Sequence, residues 1–163
     1  MALTGWLKIP GIGGEALDRG HEGDIDIYRM TWAVAQTTPA QTGRGRTRSR
    51  PMVDRLTCHK RTDAASVYLA LACLEGKSFP EMVVTLRRET GGAAHEHLTV
   101  TLRNVVVTGF DMDTGRTGPD GERDADETVS LSFERIGMLY SRPRDGRGPG
   151  EEHEIEYDIM AGV

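Results

Sequence analysis

Long alternating runs constrain the fold of this chain more than any other feature. Residues 95–110 (HEHLTVTLRNVVVTGF) set Leu98, Val100, Leu102, Val106 and Phe110 on one parity and His95, His97, Thr99, Thr101 and Arg103 on the other. A period of two buries one face of a strand and wets the other. The run is about three times the usual ~5–6 residues, so this strand is expected to span a barrel wall or cross between sheets.

Two further runs change phase part-way. In 24–37, Ile25 and Ile27 share one parity while Tyr28, Met30, Trp32 and Val34 share the other. In 129–140, Val129, Leu131 and Phe133 are followed by Ile136, Met138 and Tyr140 on the opposite parity. A parity slip marks a bulge or a corner, which a small closed or nearly closed barrel needs. Shorter strands are expected at 5–10, 54–61 (Leu56, Cys58 inward), 81–89 (Met82, Val84, Leu86 inward) and 153–160. In the last, Ile155, Tyr157 and Ile159 should face inward and Glu154, Glu156 and Asp158 outward. A single helix follows Asp63 as N-cap, with Val67, Leu71 and Leu74 as its core stripe, Ala70 beside them, and Gly76 at C′. Leu69 and Cys73 widen that apolar face. The expected class is mainly β: a small antiparallel barrel or two-sheet architecture with one flanking α-helix, one domain over 1–163. Residues 11–23, 38–51, 111–126 and 142–152 read as loops.

Composition narrows the function. The chain has 163 residues, 37% apolar and 28% charged, enough to bury about 70% of its unfolded surface in one core. A net charge of −5 argues against a dedicated nucleic-acid binder. No apolar run approaches a membrane span, and the N-terminus lacks the charged and apolar regions of a signal peptide. Two cysteines, Cys58 and Cys73, do not make a disulfide framework, so folding in a reducing cytoplasm is expected.

Chemical motifs are sparse. Gly11-Ile12-Gly13-Gly14-Glu15-Ala16 matches a dinucleotide fingerprint in letters, but no helical period follows, and an ordinary turn is expected. Asp111, Asp113 and Glu122 superficially match a calcium loop; Gly115 and Arg116 stand where a ligand and a Gly belong. His95 and His97, at i, i+2, could share a metal only if a third ligand such as His59 or His153 arrived from elsewhere. Cys58 and His59 are strand neighbours and point apart, which breaks a Cys/His dyad. No nucleophile elbow, HExxH or paired apolar carboxylates are present, and neither an enzyme nor a cofactor is expected. Arg44, Arg46, Arg48 and Arg50 crowd one loop. Phosphate binding, a solvated excursion and a protein contact are all open; for the last, Glu15, Asp18, Glu22, Asp24 and Asp26 offer an acidic complement on another subunit.

Taken in order, certain residues resemble the haemolysin-coregulated protein (Hcp) family of bacterial type VI secretion. They are Leu7-Lys8-Ile9, Gly14-Glu15, His21, Asp24-Ile25-Asp26-Ile27, Leu56-Thr57, Lys60, Asp63-Ala64-Ala65-Ser66, Glu127 through Phe133, Ile136, Tyr140 and Tyr157-Asp158-Ile159. Two departures stand out: Val67 where the family often has Pro, and an Arg-rich stretch where its loop is commonly Gly/Ser-rich. The resemblance implies a barrel of two sheets with a flanking helix, assembled into a homo-hexameric ring with a central channel. It further implies stacked rings propelled by a sheath behind a spike, small effector proteins held in the lumen, and export without a signal peptide. On that footing the Arg-rich loop is expected to contact the facing ring, without nucleic acid and without membrane insertion. A monomeric small-molecule-binding barrel and a phage-like tail-tube protein are the alternatives.

Overall fold

The computed structural model describes residues 4–36, 50–90, 93–115, 117, 121, 125–142 and 150–163. Its strands are β1 (Thr4–Lys8), β2 (Ile25–Ile27), β3 (Arg29–Thr31), β4 (Val34–Ala35), β5 (Met52–Val53), β6 (Leu56–Arg61), β7 (Ser78–Thr90), β8 (Ala93–Asp113), β9 (Asp126–Arg142) and β10 (Glu151–Asp158). The helix α1 spans Ser66–Glu75.

The main sheet runs β2-β1-β7-β8-β9-β6-β3, all antiparallel, with β10 added to β9 and a small β4-β5 hairpin apart. Its two ends, β2 and β3, are one stretch of chain interrupted only by Tyr28, whose N–H donates to His59 O at 3.0 Å. The sheet therefore all but closes on itself. The expected single strand over 24–37 breaks into β2, β3 and β4, and the phase change at Tyr28 is the corner that closure requires.

A second corner crosses three strands along one row. Phe79 pairs Val105 and Val105 pairs Phe133; Glu81 pairs Arg103 and Arg103 pairs Arg135. Between these rows lie Pro80, Asn104 and Glu134, and inward residues there are three apart instead of two: Phe79 and Met82, Leu102 and Val105, Phe133 and Ile136. Asn104 carries the left-handed backbone (φ 51°) and donates through Nδ2 to Glu134 Oε2 at 2.9 Å. This corrects the expectation for β8. Val105 and Val107 are buried in place of Val106, because the turn at Asn104 flips the parity until a second register shift, between Val107 and Gly109, returns Phe110 to the core side as expected.

The helix also needs correction. Ala65, Ser66, Leu69 and Ala72 face the barrel, while Val67, Leu71 and Leu74 are 68%, 47% and 84% exposed. Both stripes are apolar, and the one with small residues wins because Ala65 and Ala72 let the helix approach the sheet closely. Gly76 closes the helix in the left-handed conformation (φ 62°), with Lys77 N–H donating to Ala72 O at 3.0 Å. Ala65 occupies the N-cap position; Asp63 instead caps the preceding turn, its Oδ1 accepting from Ala65 N–H at 3.0 Å. On β10, Ile155 is 62% exposed rather than inward: its register partner Met138 packs against the core, but Ile155 lies on the outer side of β9, at the edge of the sheet.

Candidate functional site: a helix anchor and the surfaces it presents

An ionic cluster underpins the helix. Lys60 continues the inward row of Leu56 and Cys58 on β6, and Glu127 continues that of Val129 and Leu131 on β9; the two are register partners. Both are fully buried, and Lys60 Nζ meets Glu127 Oε2 at 2.8 Å, Asp63 Oδ1 at 2.8 Å, Arg61 O at 2.7 Å and Ser66 Oγ at 3.0 Å. Thr62 Oγ1 donates to Glu127 Oε1 and Ser66 Oγ to Glu127 Oε2, each at 2.8 Å. Buried charge is tolerated only when satisfied to this degree. The cluster ties the first turn of α1 to two barrel strands and fixes which helix face looks outward. The sequence reading missed it, although two opposite charges on the inward rows of neighbouring strands were its signal.

What the anchored helix presents is apolar: Val67, Leu71 and Leu74, with Tyr68 beside them, form an uncovered stripe. β10 presents a second surface, five carboxylates and Ile155 on a strand that, among the described residues, pairs only with β9.

The acidic stretch folds back on its own subunit. Asp18 pairs Arg87 at 3.0 Å, Glu22 Oε2 accepts from Gly20 N–H at 2.9 Å, and Asp24 pairs His21 at 2.9 Å. Glu15 and Asp26 remain exposed at its ends. Burial, then the charges of Asp18 and Asp63, push the Asp26 carboxyl up. His21 lies flat on Trp6, ring centroids 3.9 Å apart, and its Nε2 reaches Glu96 at 2.9 Å. Arg87 covers Trp6 at 4.6 Å. The Gly-rich turn is needed for this fold-back: a Cβ on Gly14 would sit 2.4 Å from Asp24 O. Arg44, Arg46 and Arg48 lie outside the described residues; Arg50 is exposed. So does Glu122, the third member of the calcium-like triplet.

The histidine pair of β8 and Cys58 of β6 stand apart from one another. His95 Nε2 contacts Ser141 O at 3.1 Å, and burial, then Arg88 and His95, depress the His97 imidazole. No third His, Cys, Asp or Glu joins them as a metal group among the described residues. Burial pushes the Cys58 thiol up to about 12, and Cys58 is buried while His59 faces Thr128 at 3.5 Å on the other side of the strand.

The nearly closed barrel with its flanking helix agrees with the comparison that decides the family. A family model described as "Type VI secretion system effector, Hcp" matches residues 6–140. The chain belongs to the Hcp family. It is 29% identical over 157 residues to protein hcp1 of Pseudomonas aeruginosa, covering 96% of this chain and 94% of that protein. Among solved structures, Hcp1 from Salmonella typhimurium is similar with a TM-score of 0.75 at 27% identity, over 99% of this chain and 97% of that one. A type VI secretion effector from Yersinia pestis gives 0.72 at 27% identity, over 94% and 98%. Hcp proteins are secreted structural tube proteins of type VI secretion, not enzymes. No described helix here is long and apolar enough to cross a membrane.

Proposed function

We propose that this chain is, as one domain, the ring-forming subunit of a type VI inner tube. Six copies join head-to-tail, the rings stack, and the lumen holds small effectors while sheath and spike act as further partners. The protein is made in the cytoplasm and leaves through the secretion machine. The observation that carries the reading is the uncovered stripe Val67, Leu71 and Leu74, displayed by a helix whose opposite face is locked to the barrel. A head-to-tail ring uses two different surfaces on each subunit, and the apolar helix stripe supplies one of them. The small-molecule carrier loses support because Leu7, Ile25, Leu56, Met82, Leu102 and Leu131 fill the barrel interior. The Arg-rich segment is assigned to contact between rings. Sedimentation velocity at micromolar concentration tests the proposal: a hexamer is expected, and monomer alone would overturn it.

A further inference from the structure

The acidic stretch 15–26 is a poor receptor for the Arg-rich segment of another copy, because Asp18, Glu22 and Asp24 already have partners in their own subunit. A better receptor is β10. This strand has β9 on one edge and, among the described residues, no partner on the other. An open edge is a template for another strand. Its sequence, EEHEIEYD, holds five carboxylates and no Lys or Arg. Glu152, Glu154, Glu156 and Asp158 recur at every second position and so share one face. Arg135 of β9 reaches into this row, 3.5 Å from Glu156 and 2.9 Å from Asp158, which shows that the row accepts guanidinium. Glu152 and Glu154 are exposed, with no cationic partner among the described residues.

The complementary pattern is in the sequence GRGRTRSR. Arg44, Arg46, Arg48 and Arg50 also recur at every second position, and the residues between them, Gly45, Thr47 and Ser49, are small. In a strand, the four guanidiniums take one face, while the small residues pass beside His153, Ile155 and Tyr157 without crowding. The stretch lies between Ala35 and Met52, which are paired at the base of the β4-β5 hairpin. The stretch from 36 to 51 that joins them is long enough, if extended out and back, to span about 20 Å from that base.

We infer that residues 44–50 of one copy add as an edge strand to β10 of a second copy, with their Arg row on the row Glu152, Glu154, Glu156 and Asp158. The inference takes its setting from the tube reading and names the surface that receives the segment. Main-chain pairing supplies the attachment, and the charge rows set the register: a one-residue slip would turn the guanidiniums onto the His153 and Ile155 face. Exposed ion pairs are screened, so salt must loosen the contact.

The test uses a synthetic peptide of residues 42–51 and the full-length chain with Arg44, Arg46, Arg48 and Arg50 all changed to Ser, which removes the competing segment. Amide shifts over 151–158 are expected on titration, with binding at least tenfold weaker at 300 mM than at 50 mM salt, and lost in the added presence of E152K/E154K. Shifts over 15–26 instead, or none, would overturn the inference. Hydrogen exchange of the parent chain assigns the donor copy. Protection of β10 that falls on dilution supports a second copy, and protection independent of concentration would overturn it in favour of the chain's own segment. The peptide result stands whether or not rings form, so a failed ring reading and a failed strand pairing give different outcomes.

Discussion

Two residues carry most of what is unusual about this chain. Lys60 sits fully buried among Glu127, Asp63, Ser66 and the Arg61 carbonyl, so its replacement leaves a buried carboxylate without its cation. Lys60→Met should cost about 3–5 kcal/mol in denaturant unfolding. The double change Lys60→Met with Glu127→Leu should recover a large part, since an apolar pair needs no compensation. Equal stability of Lys60→Met and parent would show that the cluster does not anchor the helix. His21 is the pH-dependent residue. Its burial lowers the imidazole pKa, but the carboxylates of Asp24 and Glu96 on its two nitrogens outweigh this and hold it above the ordinary value. A raised folded-state value means stability that is fully present below the unfolded pKa near 6.5 and lost as pH rises through the folded pKa. His97, held low by burial and by Arg88, acts with the opposite sign. The parent should therefore lose stability relative to His21→Gln as pH rises above 6.5, read as the difference between their Tm profiles; parallel profiles would remove the clasp from the account.

The strands were legible in the sequence because alternation is a local signal. β7, β9, the inward half of β6 and β8 as far as Leu102 lie where their parity places them, and even the corner at Tyr28 shows as a phase change. The Asn104 corner was not legible, since Val105, Val106 and Val107 offer apolar side chains to either parity. That corner predicts a specific asymmetry. Asn104→Val should destabilise by about 1–2 kcal/mol through its left-handed backbone, and Asn104→Gly should be tolerated. Thermal unfolding by circular dichroism separates them, and equal melting would mean that the backbone relaxes there. The helix face failed for a related reason: SVYLALACLE carries apolar side chains on nearly every side, so period alone could not choose. Lys60 and Glu127 failed differently. Their parity pointed inward, but charge argued outward, and only their pairing across β6 and β9 resolves the conflict.

At the scale of the whole molecule, the two helix stripes divide stability from assembly. Leu69 is fully buried, and Leu69→Ala should cost the isolated subunit about 2–5 kcal/mol. Leu71 and Leu74 are exposed, so Leu71→Ala should change the melting of dissociated chain by less than about 0.5 kcal/mol. A patch rimmed by polar residues and held rigid from beneath is an interaction surface before it is anything else. In a ring it would be buried in every subunit at once, so a defect there multiplies around the closure. Val67→Asp with Leu74→Asp should therefore leave the circular dichroism of the dissociated chain unchanged and weaken assembly at least tenfold, because burying two carboxylates without partners opposes the contact. Sedimentation equilibrium across a concentration series reads both quantities on one sample. Parent-like assembly by this double variant would place the ring contact elsewhere on the barrel and leave the stripe without a role.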